Sequence, residues 1–208
     1  MLSLDQFSGF LIVAMLVTLS PGPDNLMVLG FGMARGRAQG VVFGIGCAIG
    51  CLSHTVLATL GVSALIAASP TAFLALKICG GLYLLRLGIL ALRNPGRVQL
   101  AQDDKPPESL RRLFVRGLVA NAINPKVILF FLSFLPQFVS AGRGHVAWQT
   151  AQLGLVFTVQ AALLFGLLGF FSGALGHWLK RNERAGQWMD RLAGMIFVGL
   201  GVRLLFLK

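Results

Sequence analysis

Charge is what this sequence has least of. Only 12% of its 208 residues are Asp, Glu, Lys or Arg, against about a quarter in a soluble domain, which excludes an ordinary water-facing surface. Acid is scarcest, with 7 Asp and Glu against 18 Lys and Arg. The cysteines number 3, and Cys47, Cys51 and Cys79 all fall inside apolar segments, so they form no disulfide framework. No GxSxG, HExxH or P-loop pattern occurs, so no motif points to an enzyme, a resident cofactor or an ATPase. Any transport is then driven by a gradient or by another subunit. The opening "MLSLDQ" carries Asp5 and no basic residue, and is not read as a signal peptide.

What is present is apolar: 56% of the chain, in runs of about twenty residues that can cross a hydrocarbon core of roughly 30 Å as helix. A β-barrel would show short alternating segments instead. The fold class is therefore an all-α membrane protein. Six segments are expected, near 5–34, 40–66, 71–92, 114–139, 148–173 and 187–206, with polar connectors between them, the last near His177–Gln187. Residues 1–92 form a first three-helix unit, 93–113 a linker and 114–208 a second unit.

The net charge of +11 would suggest nucleic acid in a soluble protein. Here no basic stripe is interleaved with aromatics, and the cations sit between apolar segments, where they face anionic lipid. Connectors one, three and five hold Arg35 and Arg37, six cations from Arg93 to Arg116, and four from Lys180 to Arg191. The other side has Arg143 and Lys208, with Lys77 and Arg203 near span ends. The positive-inside rule puts the linker in the cytoplasm and both termini on the periplasmic side of an inner membrane.

The two halves echo each other. "LVTLSPGPD" (16–24) lies over "LVANAINPK" (118–126), "GGLYLLRLGILALR" (80–93) over "AGMIFVGLGVRLLF" (193–206), and "AQGVVF" (38–43) near "AQLGLVF" (151–157). The offset is 102 in the first match and 113 in the others. Three spans per copy turn the second copy over, giving two inverted three-helix repeats. In such folds substrate sites lie near mid-membrane at interrupted helices.

Spans one and four carry the interruptions. Pro23 and Pro125 each remove a backbone donor and clash with the preceding turn. In lipid the freed carbonyls need protein or a water-filled cavity. Asn124-Pro125 reads as an N-cap with proline at the first helical position, and Gly22-Pro23 is its counterpart. Both breaks would aim helix N-termini inward, an arrangement suited to a carboxylate. Simple proline kinks are the plainer reading; the matched prolines and flanking charges favour function.

Asp24 and Lys126 fall on equivalent positions. A charge at the bilayer centre costs at least ~2.5–3.5 kcal/mol, so it normally faces a partner or a pathway. A structural ion pair is one reading; the other is a site for a ligand's ammonium and carboxylate. Lys126 stands just past a helix start, where its charge opposes the dipole, which favours the site. Ser20, Asn25, Asn121 and Asn124 either bind substrate or satisfy the broken backbone. With Pro21, Gly22, Pro23 and Pro125 they complete the candidate substrate-binding set. Asp24 and His54 are the proton-coupling candidates. Cys47, Cys51 and His54 share a helix face that could hold a soft metal, but no second Cys/His cluster completes a site, and packing with interhelical hydrogen bonding explains them as well. Hydrogen bonding between helices is also the default for Tyr83 and Gln160. Glycines at four-residue spacing, Gly32 to Gly44 and Gly46 with Gly50, read as helix packing.

These stretches carry a resemblance. "SPGPDNLMVLGFGMARGRAQG" (20–40), "GGLYLLRLG" (80–88) and "NAINPKVILFFLSFLPQFV" (121–139) look like the LysE/RhtB family of bacterial amino-acid exporters. The length, the six segments and the basic linker match across the whole chain. The resemblance implies efflux of lysine, arginine, leucine, threonine, homoserine or a related compound across the inner membrane. It places Pro21, Gly22, Pro23, Asp24, Asn124, Pro125 and Lys126 on the motif positions. The acid at position 24 is not universal in that family, which sets tuning of substrate choice beside proton carrying as its role.

The expectation is a secondary exporter of an amino acid or small derivative, by proton antiport, whose partners are its substrate and membrane lipid, with no nucleic acid. Six short spans leave little protein-buried surface for a water-lined path, which favours a homodimer. The rivals are a metal-cation exporter using Cys47, Cys51 and His54, and a membrane scaffold that transports nothing.

Overall fold

The computed structural model describes residues 2–62, 69–93 and 108–206. Most of the expected linker lies outside the described residues. Among those described, every regular element is a helix.

Helix α1 (Leu4–Leu19) starts in a capping box, with the Ser3 hydroxyl accepting from Gln6 N and the Gln6 side chain reaching back to Ser3 N. It stops where Pro21 cannot continue it. After Gly22 the chain restarts as α2 (Pro23–Arg35), bent 56° from α1. Gly36, at φ 106°, turns the chain in a conformation that favours glycine. Helix α3 (Arg37–Leu57) follows and runs on as a π-helical turn, Ala58–Val62. Helix α4 spans Pro70–Arg93.

The second half opens with α5 (Leu110–Ala122), capped by Ser109. A break at Ile123 and Asn124 leads to α6 (Pro125–Leu129), which continues as a π turn (Phe130–Phe134) and a 3-10 turn (Leu135–Phe138). The segments on either side of this break are bent by 48°. Helices α7 (Val146–Phe170), α8 (Ser172–Arg181) and α9 (Glu183–Phe206) complete the chain. The proline breaks thus fall where the sequence places them. The expected connector at His177–Gln187 is instead mostly helix: α8 continues to Arg181 and α9 begins at Glu183, with only Asn182 between.

Among the described residues, three helical stretches are each long and apolar enough to cross a membrane: Arg37–Gly61, Leu74–Arg93 and Val146–Phe170. The bent pairs α1–α2 and α5–α6 qualify as pairs. Helix α9, with Arg184, Asp190, Arg191 and Arg203 along it, is not among them.

Glycine sets the packing. Helix α3 lies between α5 and α7. A side chain on Gly46 would strike Phe114 O, and one on Gly117 would strike Phe43 O, so α3 and α5 meet backbone to backbone. On the other side Gly40 rests against Gly169. Helices α4 and α9 form a second seam. A Cβ on Gly88 would lie 2.7 Å from Gly194 O, and one on Gly201 would lie 2.9 Å from Gly81 O. Phenylalanine fills the remaining core: Phe130 touches the rings of Phe10, Phe131, Phe134 and Phe157 at centroid distances of 5.3–6.1 Å.

Candidate functional site

The two breaks face each other across a small cavity with room for about one water molecule. Its lining comes from both halves: Val17 and Thr18 of α1, Gly22, Asp24 and Asn25 at the first break, Asn121, Asn124, Lys126 and Val127 at the second, and Phe157 and Phe165 of α7.

Asp24 is 3% exposed and Lys126 7%, so both charges are withdrawn from solvent. Each sits at the second position of the helix that its proline starts. The Asn121 amide Nδ2 donates to Asp24 Oδ2 at 2.7 Å, while Asp24 Oδ1 is buried with no hydrogen-bond partner. The Lys126 ammonium donates to the carbonyl of Ser20 at 2.8 Å and lies 5.4 Å from the centre of the Phe197 ring. This satisfies one carbonyl freed at the end of α1. No hydrogen bond joins Asp24 to Lys126. The expected opposed pair therefore shares one cavity, with each partner held by a neutral group.

Asn121 is the hub. It is buried at the end of α5, where Gly50 of α3 leaves room; a Cβ there would come 2.9 Å from Asn121 Cβ. Its Oδ1 accepts from the Cys51 thiol at 3.4 Å. Its backbone carbonyl is 3.0 Å from His54 Nε2 and accepts from Asn124 N at 2.9 Å. His54 Nδ1 is buried without a partner. Asn124 Oδ1 accepts from Lys126 N at 3.0 Å, which is the side-chain cap expected from the sequence. Gly22 provides no such cap for α2. A Cβ at Gly22 would stand 3.0 Å from Lys126 Nζ, so this glycine gives the lysine its path across the break.

Of the sequence-selected residues, Gly22, Asp24, Asn25, Asn121, Asn124 and Lys126 line the cavity together. Pro23 and Pro125 start the helices around it, and Pro21 ends the preceding one. The Ser20 hydroxyl turns back to Val17 O at 2.9 Å and offers the site only its carbonyl. His54 stands outside the lining, joined to it through Asn121. Among the described residues no three of His, Cys, Asp and Glu gather as a metal site.

The sequence reading missed Val17, Thr18, Val127, Phe157 and Phe165. Thr18 was detectable as the polar residue one turn before the break. Its carbonyl accepts from Asn25 Nδ2 and its hydroxyl from Gln160 Nε2, each at 2.8 Å. Gln160 thus bonds between helices as expected. The phenylalanines of α7 gave no signal, since aromatics recur throughout the chain.

Comparison with known proteins adds to this geometry. The profile of a family described as "LysE type translocator" matches residues 15–208. An uncharacterized membrane protein of Pseudomonas aeruginosa is 31% identical over 207 residues, covering 98% of this chain and 96% of its own. One from Vibrio cholerae is 32% identical over 199 residues, covering 94% of each chain. A leucine efflux protein of Enterobacter sp. is 29% identical over 199 residues, covering 96% of this chain and 94% of its own. No solved structure matches the chain.

Proposed function

The chain belongs to the LysE type translocator family, and from that premise we propose that it exports an amino acid or a small derivative across the bacterial inner membrane. It is a transporter and not an enzyme. The relatives named leucine efflux protein support an amino-acid cargo.

The observation that carries the reading is the chemistry left open in the cavity. Asp24 Oδ1 accepts no hydrogen bond, and the Lys126 ammonium, with three donors, has one protein acceptor. A zwitterion supplies what both lack: its ammonium meets Asp24 Oδ1, and its carboxylate meets Lys126 and the first-turn amides of α2. Asp24→Asn and Lys126→Met are expected to abolish efflux from proteoliposomes with unchanged membrane insertion. Full activity in both variants would sink the assignment.

The frame we propose is six spans in two inverted repeats, with both termini periplasmic and the linker cytoplasmic. The α4–α9 seam supports it. Gly81 and Gly194 correspond at the offset of 113, as do Gly88 and Gly201. Gly81 lies against Gly201, and Gly88 against Gly194. Each contact is the other's image under exchange of the halves, as a two-fold relation requires. The α3–α7 contacts follow the same rule at an offset of 114, which pairs Gly40 with Gly154 and Thr55 with Gly169: Gly40 lies on Gly169 and Thr55 on Gly154. Rocking of one repeat against the other would alternate access to the cavity.

Proton antiport completes the reading. Asp24 Oδ1 takes either a substrate ammonium or a proton, so one displaces the other, and His54 meets Asp24 through Asn121. Efflux indifferent to an imposed pH gradient would remove this element of the mechanism. The metal-exporter alternative loses ground because Cys51 and His54 both engage Asn121. The homodimer expected from six short spans is tested by the mass of the purified protein in detergent.

A further inference from the structure

We infer that Gln6 and Gln149 latch a gate: they seal the cavity from the end of the molecule where α1 begins, and transport opens that end by parting α1 from the turn at 138–144. This rests on the exporter reading and names the contact that closes one side of its path.

Two buried stripes run from the cavity to this latch. On α1, Val17 and Thr18 line the cavity, and Ala14, Val13 and Phe10 continue the same buried face. Gln6 stands one turn beyond Phe10 and 12 residues from Thr18, roughly 18 Å along the helix. On α7, Phe157 lines the cavity, Leu153 is buried one turn before it, and Gln149 is buried one turn before that. Between the stripes Phe10 meets Phe130 and Phe138, at 6.1 and 5.4 Å between ring centres. An apolar plug thus separates the cavity from a polar rim.

At the rim each glutamine uses both ends of its amide. Gln149, 2% exposed, donates to Ser140 O at 3.0 Å and Gly144 O at 2.7 Å, and its Oε1 accepts from Ser140 N at 3.0 Å. These bonds fix the turn to α7, so the turn moves with the second half. Gln6 makes the contact across the halves. Its Nε2 donates to Phe138 O at 2.9 Å and to Gln149 Oε1 at 3.3 Å, and its Oε1 accepts from Arg143 Nη1 at 3.0 Å. Beyond the opposite end of α7 the halves meet differently. There α2 packs on α8, with Gly32 against Ser172 and Gly176 against Met33. Hydrogen bonds at a rim can be exchanged for bonds to water at small net cost, whereas interlocked surfaces that part lose their contacts outright. The glutamine end is therefore the one built to open from this closed state, whose cavity, with room for about one water molecule, is too small for an amino acid.

The first test needs no transport and uses the purified full chain in detergent. Its background is Cys79→Ser, since Cys47 and Cys51 are buried. A thiol introduced by Val17→Cys is expected to react with a soluble methanethiosulfonate reagent at least about fivefold faster once Gln6→Ala is added, the shift in an opening equilibrium that two lost hydrogen bonds give. A thiol introduced by Leu84→Cys, buried on α4 away from the path, is expected to keep its rate. Equal rates at position 17, or a rise at both positions, overturn the latch. The second test joins Gln6→Cys to Arg143→Cys with a cleavable bis-maleimide in proteoliposomes loaded with labelled leucine. The bridge is expected to lower efflux at least about tenfold against the same variant alkylated with N-ethylmaleimide, with recovery on cleavage. Efflux unchanged by the bridge overturns the gate and leaves the exporter reading standing. A parent chain that keeps its fold and moves neither leucine nor any other amino acid overturns the exporter reading and the inference with it.

Discussion

At the scale of single residues, the site depends on what neutral neighbours do for two charges. Gly22 is the sharpest case. Its backbone is extended at φ −165° and any residue could adopt it, so the reason for glycine is the lysine crossing 3.0 Å from where a Cβ would stand. Gly22→Ala is expected to push the Lys126 ammonium off Ser20 O and lower efflux several-fold, while the amount of protein in the membrane stays constant. Efflux and membrane yield, measured together, check this. Asn121→Ala removes the partner of Asp24 Oδ2 and the acceptor of Cys51. Loss of a hydrogen bond to a buried charged group costs about 1.5–3 kcal/mol. A lower melting temperature in detergent, with reduced affinity for substrate, is the expected result.

At the scale of elements, the breaks and the seams behave differently. The second break has a side-chain cap and the first does not, because Asn124 occupies the place that Gly22 holds in α1–α2. Asn124→Ala is expected to cost about 1 kcal/mol, read as a lower melting temperature, and to slow efflux by loosening the turn that carries Lys126. The α3–α5 seam tolerates far less. Gly46 and Gly117 sit against carbonyls of the partner helix, so Gly46→Val must force the two backbones apart and is expected to abolish stable insertion. Reduced membrane yield is the check. The sequence foretold the breaks, since proline acts on its own turn. It foretold the glycine packing from spacing alone. It did not reveal that Asp24 would pair with Asn121 and not with Lys126, because that choice depends on how α3 seats α5, through Gly50. The helical character of 177–187 was hidden for a simpler reason. Its charges read as a loop, although Trp178 and the residues around it make a helix with one polar side.

At the scale of the molecule, the α4–α9 seam makes a prediction independent of transport. Gly88 and Gly194 face each other across it, so Gly88→Leu and Gly194→Leu damage the same contact from its two sides. Their effects on melting temperature are expected to be alike, and the double variant is expected to fall short of additive, since neighbouring sites couple. The all-helical build and its long apolar stretches were legible from hydrophobic runs. The cavity was legible in its charged half, at the prolines, and invisible in its apolar half, where Val17 and Val127 beside the breaks look like any other apolar residue and Phe157 and Phe165 of α7 arrive by tertiary packing.

Pro23-Asp24 and Pro125-Lys126 place an acid and a base at matching points of two similar frames. Two copies of the first frame would bring two acids together, and two copies of the second would bring two bases. Neither half could therefore serve as its own partner around this cavity. Unlike charges on like frames also give the cavity a head and a tail, so a molecule gripped at both ends is held only one way round.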